Sequence, residues 1–231
     1  MIAKNIVVVG ASRGIGRELS KKLSERHNVL AISRNLDKLK ELQEVAAVNE
    51  IKIAGADVTA PNYSEYLTTI INQYFSKVDV LINCAGYLVN KPLTETTDED
   101  MLAVFQTNVL GLMSSCKAVI PTMTNGGHIV NIGSMGGYQG SVKFPGLSVY
   151  SASKSAVAGF SECLAAETAD LNIQVNCLAI GAAQTEMLED AFPGYKAPLS
   201  AGEMADYIAD FALNANKYIN GKTIPVSVST P

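Results

Sequence analysis

Charged residues are scarce in this sequence of 231 residues, at 17% against about a quarter in an average soluble domain. Hydrophobic residues make up 48%, so the scarcity of charge excludes a disordered chain, which combines high charge with low hydrophobicity. It favours elements buried on both faces, as in a parallel sheet covered by helices. The net charge is −4 and no long Lys/Arg run occurs, which argues against nucleic acid as a main partner.

Long apolar runs, paired cysteines and clusters of metal ligands are also lacking. No stretch approaches the roughly eighteen apolar residues of a membrane span, and the first residues lack the features of a signal peptide. The four cysteines form no CxxC pair, so reduced thiols are expected rather than a disulfide or zinc framework. No His, Cys and carboxylate cluster predicts a metal site. We therefore expect a cytoplasmic protein with no membrane partner.

Short runs rich in Val, Ile and Leu alternate with longer helical patterns along the whole chain. The predicted strands are Asn5–Val9, Val29–Ser33, Lys52–Ala54, Val78–Ile82, His128–Ile132, Gln174–Leu178 and Thr223–Val226. The predicted helices are Gly14–Glu25, Leu36–Val48, Tyr63–Phe75, Asp98–Met123, Val149–Leu171 and Gly202–Asn214. This alternation is typical of an α/β fold: a doubly wound parallel sheet of about seven strands with helices on both faces. With no repeat or linker, residues 1–231 are expected to form one domain.

Two irregular segments interrupt the alternation, residues 133–148 and residues 181–201. Both follow predicted strands, and ligands of open α/β sheets bind outside the carboxyl ends of the strands. We expect both segments to border the binding crevice. The second, with a short amphipathic piece at Gln184–Phe192 between Gly and Pro residues, is expected to act as a substrate lid.

A glycine-rich loop, Gly10-Ala11-Ser12-Arg13-Gly14-Ile15-Gly16, lies between the first predicted strand and the first helix. Such a loop lets the backbone approach a pyrophosphate at a helix N-terminus, although glycines can also serve a tight turn alone. The second strand ends in Ser33-Arg34-Asn35, without the carboxylate that usually contacts the ribose of NAD. Arg13 and Arg34 could bind a 2′-phosphate or could simply be solvated. We interpret the site as selecting NADP(H).

Tyr150 and Lys154 stand four residues apart at the head of a predicted helix, on one face. An ammonium beside the phenol, together with an oxidised nicotinamide, would favour the phenolate and bring its pKa down. Ser134 could donate to a substrate carbonyl, and Asn108 could hold a water or backbone group that links Lys154 to solvent. On spacing alone, however, most Tyr/Lys pairs of this kind are structural.

Several motifs occur together in the order of the classical short-chain dehydrogenase/reductases, which the whole chain resembles. They are Gly10-x-x-x-Gly14-x-Gly16, Asn83-Cys84-Ala85-Gly86, Asn108, Ser134 and Tyr150-Ser151-Ala152-Ser153-Lys154. The resemblance implies a single NAD(P)-binding Rossmann-like domain with catalytic Ser134, Tyr150 and Lys154 and a supporting Asn108. It implies cofactor contacts from Gly10, Ser12, Arg13, Gly14, Ile15, Gly16, Ser33, Arg34, Asp57, Val58, Asn83, Ala85, Gly86, Tyr150, Lys154, Gly181 and Thr185.

The resemblance leans toward the reductases of 3-oxoacyl thioesters and of other carbonyls. It implies NADPH-dependent reduction of a 3-oxoacyl thioester or hydrophobic ketone, with Tyr150 as proton donor. An NADP-dependent alcohol or sugar dehydrogenase, or a catalytically silent NADP(H)-binding subunit or sensor, remain as alternatives. The resemblance also implies a homodimer or homotetramer paired through the helices at Asp98–Met123 and Val149–Leu171. Candidates for an apolar pocket wall are Tyr87, Met135, Tyr138, Phe144, Leu147, Met187 and Leu188.

The sequence departs from the family pattern at four places. The usual Asn-Asn-Ala-Gly is Asn83-Cys84-Ala85-Gly86, a change that is expected to matter little. The usual Pro-Gly after the sixth strand is Ile180-Gly181, which is expected to alter the start of the lid, and the loop between Ser134 and Tyr150 is enlarged. The common C-terminal Val-Asp-Gly-Gly is absent, and Pro225 lies within the last predicted strand. Because proline removes a donor from the ladder, this strand is expected at a sheet edge.

Overall fold

A seven-stranded parallel sheet forms the centre of the computed structural model, which describes residues 2–46 and 50–228. The strands of the chain are β1 Asn5–Val9, β2 Asn28–Ser33, β3 Lys52–Gly55, β4 Val80–Asn83, β5 Gly127–Ile132, β6 Ile173–Ile180, β7 Ala183–Gln184, β8 Leu199–Ser200 and β9 Thr223–Val226. The sheet order is β3-β2-β1-β4-β5-β6-β9, and β7 pairs with β8 outside it. The strand order reverses beside β1, so a crevice opens at the carboxyl ends of β1 and β4.

Helices cover the sheet on both sides. The α-helices are α1 Gly14–Ser24, α2 Leu36–Glu44, α3 Tyr63–Tyr74, α4 Asp98–Phe105, α5 Gly111–Val119, α6 Ser148–Glu167, α7 Glu186–Ala191 and α8 Ala201–Asn214. A π-helical turn spans Gln106–Leu110, and short 3-10 turns span Leu93–Glu95, Ile120–Thr122, Met135–Gly137, Ala169–Leu171 and Ala215–Lys217. The sequence prediction of a Rossmann-like doubly wound sheet is confirmed.

Alternate residues of the central strands pack into two separate hydrophobic cores. In β1, Val7 and Val9 face the core that α3, α5 and α6 complete, and Ile6 and Val8 face the core of α1, α2 and α8. All four side chains are almost fully buried, and such burial is the main favourable term in folding. Two covered faces leave little surface for charge, which explains the low charged fraction.

Most predicted bounds agree with the structure within two residues, and two predicted helices are wrong in extent. The helix predicted at Leu36–Val48 ends at Glu44, and Val45 is its C-cap. Val48 lies outside the described residues. The predicted Val149–Leu171 ends at Glu167 and passes through a 3-10 turn to Asn172, which has a φ of +55°. The predicted Val78–Ile82 begins two residues later, at Val80.

The predicted helix Asp98–Met123 is a continuous helical run that changes type along its length. The π-helical turn at Gln106–Leu110 separates α4 from α5, and a 3-10 turn ends the run at Thr122. By length and composition alone this run could cross a membrane, but half of its most apolar stretch is buried inside the protein. Leu112 and Cys116 belong to a hydrophobic core, so its apolar composition is that of a core helix.

The last strand, β9, lies at the edge of the sheet and pairs only with β6 among the described strands. Pro225 stands opposite Ala179, where its missing N–H faces no further strand. The prediction of an edge position for this strand is confirmed.

Candidate active site

The loop after β1 is packed so tightly that two of its positions require glycine. Gly10 has a φ of +91°, and a side-chain carbon there would overlap the backbone nitrogen of Ala85. At Gly16 a side-chain carbon would overlap the carbonyl oxygen of Gly10. The chain then enters α1 at Gly14, and the free N–H groups of a helix N-terminus attract anions. The backbone present here therefore fits the pyrophosphate of a dinucleotide.

The end of β2 is joined to this loop by two serines. Ser33 Oγ donates to Ser12 Oγ at 2.8 Å. The residues that follow each serine, Arg13 and Arg34, therefore lie at the same end of the crevice, and both side chains are more than half exposed. Two guanidinium groups and no acidic residue at the end of β2 suit a 2′-phosphate better than a free 2′-hydroxyl.

A cleft of about 210 Å³ runs from these arginines to the centre of the sheet. Fourteen of the predicted cofactor residues line it: Gly10, Ser12, Arg13, Gly14, Ile15, Gly16, Ser33, Arg34, Val58, Ala85, Gly86, Tyr150, Lys154 and Thr185. The sequence prediction missed further lining residues, including Ala56, Cys84, Thr107, Ile132, Glu186 and Met187. Cys84 belongs to the motif Asn83-Cys84-Ala85-Gly86, whereas the other five belong to none of the motifs that the sequence shows.

Three residues predicted to bind the cofactor do not line this cleft. Asp57 accepts hydrogen bonds from the N–H and Oγ1 of Thr59, at 2.9 and 2.8 Å, in its own turn. Asn83 is buried in the sheet, where its Nδ2 donates to Asn131 Oδ1 at 2.8 Å. Gly181 donates its N–H to the carbonyl of Val226 and lines a neighbouring cavity. Each of these three residues is hydrogen-bonded within the fold, and its role toward the cofactor stays a prediction.

Tyr150 lies in the first turn of α6 beside Ser134, which follows β5. Burial raises the pKa of Tyr150 to about 12, and a hydrogen bond with Ser134 opposes part of that rise. We expected Lys154 and an oxidised nicotinamide to bring this pKa down, whereas the protein's own groups give a net rise. Desolvation of the phenolate outweighs the hydrogen bond that stabilises it.

Lys154 is buried one turn further along α6. Its Nζ donates to the carbonyl oxygen of Ile132 at 2.8 Å and lies 5.8 Å from the centre of the Tyr150 ring. Burial lowers the pKa of Lys154 to about 8, and interactions with the Cys177 and Cys84 thiols oppose this in part. The ammonium is therefore held next to the phenol, and its pKa lies about one unit above neutral pH.

Asn108 lies in the π-helical turn and is fully buried. Its Nδ2 donates to the carbonyl of Tyr87 and to Ser153 Oγ, both at 2.9 Å, and its Oδ1 accepts from the Tyr87 N–H at 2.7 Å. It therefore holds the backbone of Tyr87, and the expected link from Lys154 to solvent stays a prediction. A side-chain carbon at Gly86 would lie 3.6 Å from Asn108 Oδ1 and 3.8 Å from Lys154 Nζ, so the two groups face one small gap.

A second cavity of about 310 Å³ adjoins the cleft, and Tyr150 lines both. Five of the predicted wall residues line this second cavity: Met135, Phe144, Leu147, Met187 and Leu188. The prediction was wrong for Tyr87 and Tyr138, which lie outside it, and it missed Leu88, Phe192 and Tyr195. The wall is largely apolar, and Ser134 and Tyr150 are among its polar residues.

Three segments that form the wall of this cavity meet at Asn90. Its Nδ2 donates to the carbonyl of Ala191 at the end of α7, at 2.8 Å. Lys91 N–H donates to the carbonyl of Gly146 at 3.0 Å, and a side chain at Gly146, where φ is +84°, would overlap Asn90 Oδ1. The segment after β4, the 133–148 loop and the lid are thus fastened together on one side of the cavity.

His128 lies apart from the two cavities and is hydrogen-bonded at both ring nitrogens. His128 donates from Nδ1 to the carbonyl of Ala212 at 2.9 Å, and its Nε2 accepts from Asn176 Nδ2 at 3.0 Å. Throughout residues 2–46 and 50–228, no group of three or more His, Cys, Asp or Glu side chains could hold a metal ion. The four cysteines are free thiols.

Comparisons with known proteins agree with this geometry. Residues 4–196 match the family model described as short chain dehydrogenase. The chain is 40% identical over 184 residues to carbonyl reductase family member 4 of Danio rerio, covering 78% of this chain and 76% of that protein. It is 36% identical over 190 residues to the 3-oxoacyl-[acyl-carrier-protein] reductase of Homo sapiens, covering 81% and 78%. A crystal structure of a dehydrogenase/reductase from Sinorhizobium meliloti superposes with a TM-score of 0.86 at 25% identity, covering 98% of this chain and 94% of that one.

Proposed function

The chain belongs to the short-chain dehydrogenase family of nicotinamide-dependent oxidoreductases, and from that premise we propose that it is an NADPH-dependent carbonyl reductase. The substrate we propose is a 3-oxoacyl thioester or a hydrophobic ketone, which becomes an alcohol. One observation carries the proposal: the Tyr150 phenol, with Ser134 beside it, lies where a glycine-walled cleft meets an apolar cavity. A proton donor at that junction can reach a carbonyl held in the cavity.

The roles of the side chains follow from their positions. When bound in the cleft, the nicotinamide supplies the hydride that reduces the carbonyl carbon. Ser134 and Tyr150 donate hydrogen bonds to the carbonyl oxygen, and Tyr150 gives up its phenolic proton as that oxygen gains negative charge. With a pKa of about 12, Tyr150 keeps its proton at neutral pH and acts as an acid. The Lys154 ammonium stabilises the phenolate that remains.

Two features support NADP(H) over NAD(H). Arg13 and Arg34 line the same end of the cleft, and the residues that end β2 carry no carboxylate to repel a 2′-phosphate.

The apolar cavity wall supports a hydrophobic carbonyl over a sugar, because a polyol would leave hydroxyl groups unpaired against Met, Leu and Phe side chains. The intact set of Ser134, Tyr150 and Lys154 supports an enzyme over a silent binding subunit.

We also propose a cytoplasmic homodimer or homotetramer. Leu102, Phe105 and Leu110 expose large apolar side chains on the helical run that includes α4 and the π-helical turn. Exposed apolar groups clustered on one helix suit a protein contact.

The proposal is tested by following the oxidation of NADPH and of NADH with parallel panels of 3-oxoacyl thioesters, hydrophobic ketones and reducing sugars. We expect turnover with NADPH on the first two panels, and at least about tenfold lower kcat/KM with NADH. Equal kcat/KM with NADH would contradict the cofactor choice. Preferential turnover of sugars would contradict the substrate class, and tight NADPH binding without turnover of any carbonyl would favour a silent subunit.

A further inference from the structure

The two arginines at the end of the cleft each face a carboxylate, but the two carboxylates are held differently. Arg34 Nη1 lies 3.9 Å from Asp57 Oδ2, and the other oxygen of Asp57 is fixed by the Thr59 N–H and hydroxyl. Asp57 therefore stays in its turn whatever Arg34 contacts. Its position is set by the loop after β3 and not by the arginine.

Arg13 faces a carboxylate that belongs to the lid. Arg13 Nη1 lies 3.6 Å from Asp190 Oδ2, on α7. Within residues 2–46 and 50–228, the Asp190 carboxylate has no other ion pair or hydrogen bond. Both side chains are largely exposed, at 53% for Arg13 and 73% for Asp190, and exposed ion pairs are weak. This pair can therefore be broken at little cost.

We propose that Asp190 is a specificity-determining residue for the cofactor, because its carboxylate competes with the 2′-phosphate for Arg13. The inference rests on the NADP(H) choice proposed above. A phosphate carries up to about two negative charges and three acceptor oxygens, so it displaces a single exposed carboxylate from a guanidinium. Asp190 then loses its partner. The binding free energy of a 2′-phosphate is therefore reduced by the free energy of the broken Arg13–Asp190 ion pair. NADH lacks the phosphate and leaves this pair in place.

Asp190 therefore weakens the binding of NADPH without affecting that of NADH. Its removal should increase the preference for the phosphorylated cofactor, although the side chain lies on the lid and outside the residues that line the cleft. Because exposed ion pairs contribute modestly, the expected gain in NADPH affinity is about two- to fivefold.

The test is titration calorimetry on the full chain with four ligands: NADPH, NADH, 2′,5′-ADP and 5′-AMP. The last two carry only the adenosine end, so they report on the 2′-phosphate without turnover or a nicotinamide. Asp190→Asn should lower the Kd of NADPH and of 2′,5′-ADP by about two- to fivefold and leave NADH and 5′-AMP unchanged. The matched control is Glu189→Gln, which removes a neighbouring charge from α7 that is not paired with Arg13. It should change none of the four constants.

A double-mutant cycle shows whether the effect passes through Arg13. In an Arg13→Ala background, Asp190→Asn should no longer change the affinity for 2′,5′-ADP. If Asp190→Asn raised the affinity for 2′,5′-ADP equally in the Arg13→Ala background, the proposed competition for Arg13 would be wrong. If the unmutated protein prefers 2′,5′-ADP to 5′-AMP but Asp190→Asn brings no gain, the inference fails alone. If the unmutated protein has no preference, the NADP(H) choice fails and the inference fails with it.

Discussion

The pH dependence of the reaction should follow the ionisation of Lys154. Burial lowers the pKa of this lysine to about 8 and raises that of Tyr150 to about 12, so the lysine loses its proton first as the pH rises. Below its pKa the lysine is charged and can stabilise the phenolate of Tyr150. Above it that stabilisation is lost while Tyr150 still holds its proton. Activity should therefore be level below about pH 7 and decline through about pH 8.

The size of the decline follows from the pKa. With a value of about 8, roughly nine tenths of the Lys154 side chains are charged at pH 7 and roughly one tenth at pH 9. The value of kcat/KM should therefore fall about tenfold between these two pH values. An ordinary exposed lysine, with a pKa near 10.4, would give a decline of only a few per cent over the same range.

The assay is the second-order dependence of the rate on NADPH and on a hydrophobic ketone, both well below their KM values, because under these conditions kcat/KM reports ionisations of the free enzyme. Lys154→Arg is the control, since a guanidinium stays charged throughout. Its activity should be lower but level over the same pH range. Thermal unfolding at each pH separates ionisation from loss of structure. A profile that stays level to about pH 10, or the same decline in Lys154→Arg, would refute the reasoning.

Two further predictions concern parts of the molecule outside the reacting groups. Burial lowers the pKa of His128 to about 4, so an unfolded chain takes up its proton first as the pH falls. Urea unfolding should show that the free energy of unfolding falls by roughly 3 kcal/mol between about pH 6.5 and pH 4, and that most of this fall is absent in His128→Gln. The same fall in His128→Gln as in the unmutated protein would contradict this. Asn90→Ala removes the hydrogen bond to Ala191, and should raise KM for the carbonyl about two- to tenfold while Tm and the NADPH Kd stay nearly constant. An unaltered KM would show that the contact does not shape the pocket.

The sequence predicted the sheet and the reacting groups well because both leave local patterns. Buried parallel strands are short β-branched runs, and β1 is found with the bounds that the sequence predicts. The glycines of the loop after β1 are required by its backbone, as the overlap at Gly10 shows. Tyr150 and Lys154 come together because four residues make about one helical turn, and Ser134 joins them from the neighbouring strand end.

Other features depend on contacts that no local pattern records. Asn83 belongs to a motif, but its amide turns into the sheet toward Asn131, and only the register of β4 with β5 decides this. Asn108 lies in the π-helical turn, and its amide bonds with the backbone of Tyr87, which lies 21 residues away. The direction of the pKa shift of Tyr150 depends on burial by several elements, so spacing could not give it.

The wall of the apolar cavity was predicted least completely, for a similar reason. Phe192 and Tyr195 follow α7 and line the cavity. Tyr87 and Tyr138 are close in sequence to residues of the site but lie outside the cavity. Which side of a loop meets a cavity is set by tertiary packing, and this segment has no periodicity from which to infer it.

The central claim, that Tyr150 donates the proton at the junction of cleft and cavity, is tested most directly by single-turnover reduction in Tyr150→Phe. The variant keeps the ring and removes only the hydroxyl. We predict a reduction rate at least about a hundredfold lower than that of the unmutated enzyme, with NADPH affinity within about twofold. A rate within about tenfold of the unmutated enzyme, at equal NADPH occupancy, would contradict the account.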